Sequence, residues 1–487
     1  MIGSKQIAID ASDFLRGMSS GSEVADGGFS DETEAVNLIA DPGVLYAPAA
    51  EVDSDTDTRL STNGEIIASI PDHNAVGVDA RLLVARDGTE DGTFYRYNGT
   101  KIIAAAYGGQ DTAHDYAKGF TDAINFAGES YITNKQTIVR WTGTSTFDLA
   151  FATFTTSNVP HPALAYENNA YFGDKNLLLR MTAAGGAPAT ILTLDAGQII
   201  IALGIDPGTG KMLISTVNSL NMSNTLNTVN KIHWYDGSSN KTSKVIQVED
   251  QVLAFHPHGG RVFVGYGKHI GMLNGSGIDF VHSLPNVTND QEELPYKHNW
   301  GSINRTMYVV DGAKVLAFGP ILKQGSSIWY YAAANKFSSP NKFRAIFNAG
   351  ADKLGLSAAT EKFYTVSITS ISNLDALDLY TNWISFDRPV YIRSIYFQLA
   401  ASDNTSNYTL TYFDQSAAAL INTLERQEGN ITPVLESDYW INFADTANTA
   451  GNTGEGHQAL RAFKLRFQTS TSNKGLKKII IDYDYAE

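Results

Sequence analysis

The sequence predicts an all-β protein whose central part is a β-propeller of about seven blades. A pattern of short apolar runs separated by Gly, Asp and Asn turns recurs seven times between residues 80 and 372. The turn glycines are regularly spaced: Gly99 and Gly143 are 44 residues apart, Gly237 and Gly275 are 38 apart, and Gly275 and Gly319 are 44 apart. Propeller blades repeat every ~40–50 residues. The 42 glycines, 11% aromatic residues and 18% charged residues also suit turn-rich β structure.

The seven copies share strand patterns and turns rather than residue identities. The clearest copy, RLLVARDGTEDGTFYRYNGTKII, reads as a small antiparallel meander. The copies span residues 81–103, 129–150, 169–186, 211–218 with 231–248, 261–284, 305–319 with 327–332, and 352–369.

A radial arrangement would solve the packing problem of these small sheets. One sheet of three or four short strands cannot bury both faces alone, and its outer strands carry unpaired backbone groups. Radial packing of seven sheets buries the faces and leaves only short edges. A β-sandwich or a solenoid built from the same hairpins is the alternative fold.

Residues 1–79 are expected to form an extended acidic arm in front of the propeller. Residues 1–60 contain 12 carboxylates and three basic residues, and their apolar clusters are short. Such a segment buries too little apolar surface to fold alone. We expect it either to lie across the propeller or reach a neighbouring subunit, or to be a partly ordered tail.

Two short motifs resemble ligand-binding loops but lack essential residues. Asp53, Asp55 and Asp57 alternate as in a calcium loop, yet Thr58 replaces the turn glycine and Gly64 replaces the bidentate glutamate. The stretch GIDPGTGKM, residues 204–212, lacks a phosphate-loop glycine and hydroxyl and is not expected to lead into a helix, so a hairpin turn is predicted. A solvated acidic loop and a turn are therefore expected.

No residue is predicted to be catalytic, to bind a cofactor or to bind a metal. His256 and His258 flank Pro257 and could share a metal on one strand face, just before Gly259 and Gly260 in a predicted turn between blades, but the sequence identifies no third ligand. His114 and His161 are isolated, and no nucleophile-elbow motif occurs. A non-enzymatic protein without a cofactor is predicted.

Aromatic residues recur near the predicted strand ends. They are expected to fill the space between neighbouring blades, because large rings bury much apolar area. A stacking surface for sugars is the alternative. The residues are Tyr97, Trp141, Trp234, Trp329 and Tyr330.

Residues 373–487 are predicted to form a C-terminal antiparallel β-sandwich or jelly roll. Phe463, Leu465 and Phe467 alternate with charged or polar residues, and Ile479, Ile481, Tyr483 and Tyr485 alternate with Ile480, Asp482 and Asp484. Such domains bind sugars or proteins. Trp383 and Trp440 would be the first residues to test for sugar binding, although both are expected to be core residues.

Charge and composition exclude several classes of protein. A net charge of −15 argues against a basic surface that holds nucleic acid. The absence of cysteine excludes disulfides and thiol chemistry. No signal peptide and no apolar run of membrane-spanning length is visible. We therefore expect that the protein does not insert into a membrane and that it is assembled in a host cytoplasm.

The overall arrangement resembles the tail nozzle proteins of short-tailed bacteriophages and related phage virion propellers. The resemblance rests on an acidic N-terminus with DPGVLYAP, on NGT, TGT and DGS turns, and on a closing β domain with WISF, RSIYFQL, FKLRFQ and IIIDYDY. It implies a hexameric ring below the tail adaptor, with genome DNA passing through an acidic lumen without sequence-specific binding. Portal proteins or fibres would be further virion partners.

The leading hypothesis is therefore a structural protein of the virion, in the tail. A receptor-binding or carbohydrate-binding tail protein is the alternative. A propeller enzyme that degrades polysaccharides is a third possibility, because one fold can host unrelated sites.

Overall fold

The computed structural model describes residues 5–10, 32–36, 39–41, 44–46, 50–52, 64–74, 80–99, 102–103, 110–143, 146–218, 229–288, 293–303, 306–322, 329–338, 341–350, 353–359, 362–367, 378–381, 384–399, 408–414, 419–425, 438–442, 460–469 and 476–486. Within these residues the chain is almost entirely β-strand, and the helical part is a 3₁₀ turn at Lys297–Asn299. The fold class predicted from the sequence, all-β with a propeller, is confirmed.

The chain divides into two compact units. One contains Glu51–Val315 and Ser339–Val366, and the other contains Met1–Ala50, Leu316–Ser338 and Ser367–Glu487. The first unit holds most of the propeller strands. Both chain ends belong to the second unit.

Within the described residues, five short strands precede sheet 1. They are β1 (Lys5–Asp10), β2 (Glu32–Val36), β3 (Ile39–Asp41), β4 (Val44–Tyr46) and β5 (Ala50–Val52).

Seven sheets follow along the chain. Sheet 1 comprises β6 (Glu65–Pro71), β7 (Arg81–Arg86), β8 (Asp91–Tyr97), β9 (Ile102–Ile103) and β10 (Gln110–Asp115). Sheet 2 comprises β11 (Asp122–Phe126), β12 (Glu129–Thr133), β13 (Thr137–Trp141) and β14 (Phe147–Thr153). Sheet 3 comprises β15 (Ala163–Tyr166), β16 (Asn169–Asp174), β17 (Leu177–Met181) and β18 (Ala189–Thr193). Sheet 4 comprises β19 (Ile199–Asp206), β20 (Lys211–Val217), β21 (Asn230–Tyr235) and β22 (Lys244–Val248).

The remaining three sheets have the same strand order. Sheet 5 comprises β23 (Val252–His258), β24 (Arg261–Tyr266), β25 (His269–Leu273) and β26 (Ile278–Ser283). Sheet 6 comprises β27 (Trp300–Ile303), β28 (Thr306–Asp311), β29 (Lys314–Leu322) and β30 (Trp329–Ser338). Sheet 7 comprises β31 (Phe343–Asn348), β32 (Lys353–Ala358) and β33 (Lys362–Ser367), and β5 is its fourth strand.

The first strands of the seven sheets form a closed ring. Contacts join β6 to β11, β11 to β15, β15 to β19, β19 to β23, β27 to β31, and β31 back to β6. A hydrogen bond between His256 of β23 and Ser302 of β27 completes the circuit. Each of the seven copies predicted from the sequence lies in a different sheet, which confirms a seven-bladed propeller.

The propeller begins earlier in the chain than residue 80. Glu65–Pro71 pairs with Arg81–Arg86 along its whole length, so the segment expected to be part of the arm contributes the first strand of sheet 1. Apolar Ile66, Ile67 and Ile70 are buried there. Because β5 completes sheet 7 and precedes sheet 1, the first and last sheets are linked by a strand from the N-terminal side.

Apolar clusters fill the space between neighbouring sheets. Sheets 1 and 2 share a cluster around Phe94 and Trp141, and sheets 4 and 5 share one around Trp234 and Phe255. The cluster around Tyr97, Phe347 and Phe363 joins sheets 1 and 7. Each sheet therefore buries its faces against its neighbours rather than against a single central core.

Glycines in the turns between third and fourth strands bond to the preceding sheet. Gly143, Gly185, Gly237 and Gly275 have φ values of 90°, 65°, 81° and 85°, which a residue with a Cβ adopts only with strain. The carbonyl of Gly143 accepts from Asn74 Nδ2, and the amide of Gly185 donates to Tyr131 Oη.

The same contact recurs in the next two sheets. The carbonyl of Gly237 accepts hydrogen bonds from Tyr171 Oη and from a guanidinium nitrogen of Arg180, both at 3.3 Å. The carbonyl of Gly275 accepts from Lys244 Nζ. These contacts account for the recurring glycine at Gly143, Gly185, Gly237 and Gly275, whereas Gly319 lies inside β29 rather than in such a turn.

The C-terminal residues form one antiparallel sheet with strands from the N-terminus. Its C-terminal strands are β34 (Asp378–Thr381), β35 (Ile384–Leu399), β36 (Tyr408–Asp414), β37 (Ala419–Glu425), β38 (Asp438–Asn442), β39 (Leu460–Thr469) and β40 (Leu476–Tyr485). Strands β1 to β4 complete an eleven-stranded sheet, with β1 paired to β40 from Lys5↔Tyr483 to Asp10↔Lys478. The predicted alternation holds on β40, where Ile479, Ile481 and Tyr483 are buried.

Substitution of Gly237 by alanine tests the turn contact. An added Cβ would lie 3.0 Å from Tyr171 Oη and 3.2 Å from a Tyr166 ring carbon, in a backbone conformation that already disfavours alanine. We expect Gly237→Ala to lower the free energy of unfolding by about 2 kcal/mol. Urea unfolding monitored by tryptophan fluorescence measures the loss.

Gly260→Ala is the matched control. Gly260 has φ 76°, but an added Cβ would meet nothing within 4 Å, so only the backbone strain of about 1 kcal/mol is expected. Equal losses in the two variants would contradict a stabilising role for the turn contact.

Candidate functional site

Residues 293–299, here called the plug segment, lie at the centre of the ring of first strands. The 3₁₀ turn Lys297–Asn299 contacts β6, β23 and β31, and its side chains bond to β11 and β15. Tyr296 covers Gly119, where an added Cβ would lie 2.3 Å from the tyrosine ring. The segment between sheets 5 and 6 therefore crosses the propeller axis instead of following its outer surface.

Asp122, the first residue of β11, binds the plug segment. Its carboxylate oxygens accept from Lys297 Nζ at 2.8 and 2.9 Å, and Oδ1 accepts from His298 Nε2 at 3.0 Å. Backbone amides of Ala123 and Ala163 also donate to it, at 2.7 and 2.9 Å. Lys297 donates in addition to the Ala163 carbonyl at 2.9 Å, so the cluster joins the plug segment to sheets 2 and 3.

The charge of Asp122 is stabilised inside the propeller. Burial alone would raise the pKa of its carboxyl, but the charge of Lys297 and the hydrogen bonds from His298 and Lys297 outweigh burial and lower the pKa to about 2. The carboxylate is therefore ionised at neutral pH and its acceptor positions are occupied by groups of the same chain. Such a carboxylate is a structural anchor rather than an acid or a base for catalysis.

The space beside the plug segment is small. A cavity of ≈ 30 Å³ is lined by residues that include Ile67 of sheet 1, Asp122 of sheet 2, Leu203 of sheet 4 and Leu253 of sheet 5. A cavity of this size holds one or two water molecules, whereas small-molecule sites occupy ~300–1,000 Å³. The space beside the plug segment is thus too small for an ordinary small-molecule ligand.

A second polar cluster lies near the opposite ends of the first strands. Ser302 Oγ lies 2.7 Å from His256 Nε2 and 3.0 Å from His258 Nδ1, which joins sheets 5 and 6. Asn348 Nδ2 donates to the Ser302 carbonyl at 2.8 Å, and Arg81 Nε donates to the Asn348 carbonyl at 2.7 Å. These bonds continue the connection through sheet 7 to sheet 1.

The histidine pair lies on strand β23, as the sequence predicts, but the following Gly259 and Gly260 form the hairpin turn to β24 within sheet 5 rather than a turn between blades. Both residues belong to β23 and share Ser302. Burial and the neighbouring His258 lower the pKa of His256 to about 3, so its imidazole is neutral. Within the described part of the chain, no group of three or more His, Asp or Glu side chains is arranged to hold a metal ion.

The other sequence candidates occupy structural positions or lie outside the described residues. The stretch 204–212 is a hairpin turn between β19 and β20, in which Asp206 accepts from Gly208, Thr209 and the Trp234 indole. Asp53, Asp55, Asp57 and Trp383, and the side chains of Trp329, Tyr330 and Trp440, lie outside what the structure describes.

Three predicted aromatic residues and two histidines take part in packing or local bonding. Tyr97, Trp141 and Trp234 are buried between sheets, as the packing interpretation predicted. His161 is buried and stacks on Phe154 at 3.6 Å, while His114 bonds to Asp111 at 3.0 Å.

Sequence reasoning did not identify Asp122, Lys297 or His298. Asp122 stands at the start of an ordinary apolar strand, and the two basic residues lie in the polar run between sheets 5 and 6. A separation of 175 residues between Asp122 and Lys297 leaves no local spacing that could reveal the pair.

Comparisons with known proteins give no family. No family model matches the chain, and no curated protein matches it. Among solved structures, YCF48 bound to a D1 peptide is 12% identical with a TM-score of 0.42, over 67% of this chain and 97% of that one. YCF48 from Cyanidioschyzon merolae is 10% identical with a TM-score of 0.42, over 66% of this chain and 100% of that one. This likeness is too low to bear on function. Among the described residues, no helix has the length and hydropathy needed to cross a membrane.

Removal of the Asp122 charge should destabilise the propeller. In Asp122→Asn, Lys297 loses its carboxylate partner in a partly buried site, and we expect the free energy of unfolding to fall by about 2–3 kcal/mol. Chemical denaturation at pH 7.5 measures the loss.

The double variant Asp122→Asn with Lys297→Met is the control, because it removes the stranded charge as well. It should recover part of the loss. A double variant at least as unstable as the sum of the single variants would contradict an ionic anchor.

Buried neutral histidines should make the propeller sensitive to acid. Burial lowers the pKa of His256 to about 3, and burial with nearby Lys231 lowers the pKa of His233 to about 4. The unfolded chain binds protons near pH 6.5 and the folded chain does not, so stability is complete above pH 6.5 and falls as the pH drops towards 4. Each histidine contributes a loss of at most about 1.4 kcal/mol per pH unit.

His256→Gln isolates one of these contributions. Its destabilisation relative to the parent protein should be smaller at pH 5 than at pH 8, by about 1–2 kcal/mol, because the variant has lost one titrating group. Urea titrations at the two pH values measure the difference. A penalty that does not change with pH would contradict this assignment.

Proposed function

We propose that the protein is a non-enzymatic structural component of a bacteriophage virion, located in the tail and assembled as a ring around the DNA exit path. The observation that carries the non-enzymatic part is the plug segment. It lies within the ring of first strands, where Lys297 and His298 bond to Asp122, and Lys297 also bonds to the backbone of sheet 3. The phage assignment is supported by the resemblance of the acidic N-terminus, the blade turns and the closing β domain to tail nozzle proteins.

The proposed mechanism is geometric. Interlocked sheets make a rigid body that presents broad faces to neighbouring subunits, and closed rings arise when one interface repeats around an axis. A net charge of −15 repels DNA phosphates, which favours passage of DNA without adhesion. Because the plug segment fills the centre of each propeller, the DNA path would run between copies.

The N-terminal segment pairs with strands of both units. Its strand β5 belongs to sheet 7, and β1 to β4 belong to the C-terminal sheet. These pairings lie within one chain, so each copy would enter assembly with this segment already bound. The expected partners are further copies of this chain, in a hexameric ring by the resemblance, and virion proteins such as the tail adaptor, the portal or the fibres.

Electron microscopy of labelled particles tests the proposal. The turn at Asp195–Gly197 is exposed and Gly197 has no neighbour within 4 Å of an added Cβ, so a hexahistidine insertion there should be tolerated. Nickel–gold should label the tails of purified particles that carry the tagged protein, and the purified protein alone should give cyclic rings in class averages.

Particles with the untagged protein are the control for non-specific gold. Absence of the protein from purified particles would refute the virion assignment. Its presence on the capsid surface alone would refute the tail assignment.

A further inference from the structure

A group of charged and aromatic side chains gathers at one end of the C-terminal sheet, where β1, β35 and β40 meet. Its members are here called the Tyr485 cluster: Lys5, Phe386, Asp387, Arg388, Tyr483 and Tyr485. Register places Lys5 opposite Tyr483 and Val390 opposite Tyr485, which brings the start and the end of the chain together.

Tyr485 holds two cations in place. Lys5 Nζ donates to Tyr485 Oη at 3.0 Å and lies 4.2 Å from the centroid of the ring, and Arg388 Cζ lies 5.9 Å from the same centroid. Cation–π attraction of this kind restrains long side chains that would otherwise sample many rotamers. Both positive groups are therefore positioned before any ligand arrives.

Aromatic packing fixes the ring in turn. Tyr483 meets Tyr485 edge to face at 5.9 Å and meets Phe386 at 4.8 Å, while Tyr483 itself is buried. The base of the cluster is thus rigid. Its charged groups, Lys5, Asp387 and Arg388, are exposed, and Phe386 and Tyr485 are partly exposed.

The cluster is locally cationic in an acidic protein. Two positive charges and one carboxylate give a net charge of +1, whereas the chain carries −15. The hydrogen bond to Tyr485 raises the pKa of Lys5 above its ordinary value, so the ammonium group is charged at neutral pH. An anionic ligand would be attracted to this end of the sheet.

We propose that the Tyr485 cluster binds an acidic saccharide, a sugar that carries a carboxylate or a phosphate group. Lys5 and Arg388 supply charge-assisted donors for the acidic group. Asp387 supplies an acceptor for sugar hydroxyls, and the partly exposed rings of Phe386 and Tyr485 supply apolar surface for the C–H face of a pyranose.

Asp387 also distinguishes a saccharide from an acidic peptide. Its carboxylate can accept hydrogen bonds from the hydroxyl groups that each sugar unit presents, which the carboxylate side chains of an acidic peptide do not offer. This inference does not depend on the proposed place of the protein in a virion tail, since a protein outside a virion could carry the same site.

Titration of the full-length protein with matched saccharides tests the proposal. The probes are tetragalacturonate and the neutral galactotetraose, followed by saturation-transfer NMR and calorimetry at 50 mM NaCl. We expect saturation transfer and a dissociation constant for the acidic saccharide at least tenfold lower than for the neutral one. Raising NaCl to 500 mM should weaken binding of the acidic saccharide severalfold.

Two variants locate the site, and a third is the matched control. Lys5→Met and Arg388→Met keep the length of the side chains but remove the charges, and each should weaken binding at least tenfold. Tyr391 is another exposed tyrosine of β35, 39% exposed, but it pairs with Asp484 and therefore points to the opposite face of the sheet from Tyr485. Tyr391→Ala should leave binding unchanged.

Other outcomes overturn the proposal. Absence of binding by the parent protein, equal binding of both saccharides, or unchanged affinity in both charge variants would each refute it. Competition by inorganic phosphate as strong as that by tetragalacturonate would mean an adventitious ion only, and binding of an acidic peptide instead of the saccharide would assign the cluster to a protein partner. If a charge variant melts early, the salt dependence of the parent protein still decides.

Discussion

Each propeller sheet can bury its two faces only against its neighbours, and this constraint governs the rest of the unit. A sheet of four short strands with two apolar faces would expose both of them to water if it stood alone. The turn glycines help to join neighbouring sheets. A positive φ at Gly143, Gly185 or Gly237 lets the turn form a hydrogen bond with a side chain of the preceding sheet. Strand β5 completes sheet 7, the last sheet of the ring. Loss of one sheet would expose two neighbours.

The plug segment extends the same logic to the axis. First strands arranged in a ring leave a central space, and here the chain between sheets 5 and 6 fills it and ties it to sheets 2 and 3 through Asp122. Asp122 has the lowered pKa that is typical of functional groups, but its carboxylate holds the plug segment in place. The functional proposals therefore concern assembly and the Tyr485 cluster rather than this carboxylate.

Features that repeat along the chain can be predicted from the sequence, whereas features that occur once cannot. The seven sheets are predictable because short apolar runs and turns recur in each of them, and Trp141 and Trp234 are predictable as packing residues because large apolar side chains fill the space between neighbouring sheets. The sequence predicts an arm where the first strand of sheet 1 lies, because an acidic stretch precedes this strand. The three-residue strand β5 carries too few residues for any pattern. Asp122 and Lys297 lie 175 residues apart, so only tertiary structure unites them.

The N-terminal segment supplies strands to the sheets of both units. A fragment that starts at residue 80 would lack β5 and β6, and a fragment that starts at residue 373 would lack β1 to β4. The Tyr485 cluster shows the consequence at the level of a site, because Lys5 and Tyr485 are 480 residues apart and meet only when β1 has paired with β40. Any ligand of that cluster would therefore stabilise the pairing of the two chain ends, since a ligand that binds only the folded state shifts the equilibrium towards it. Binding there and integrity of the C-terminal sheet are thermodynamically coupled.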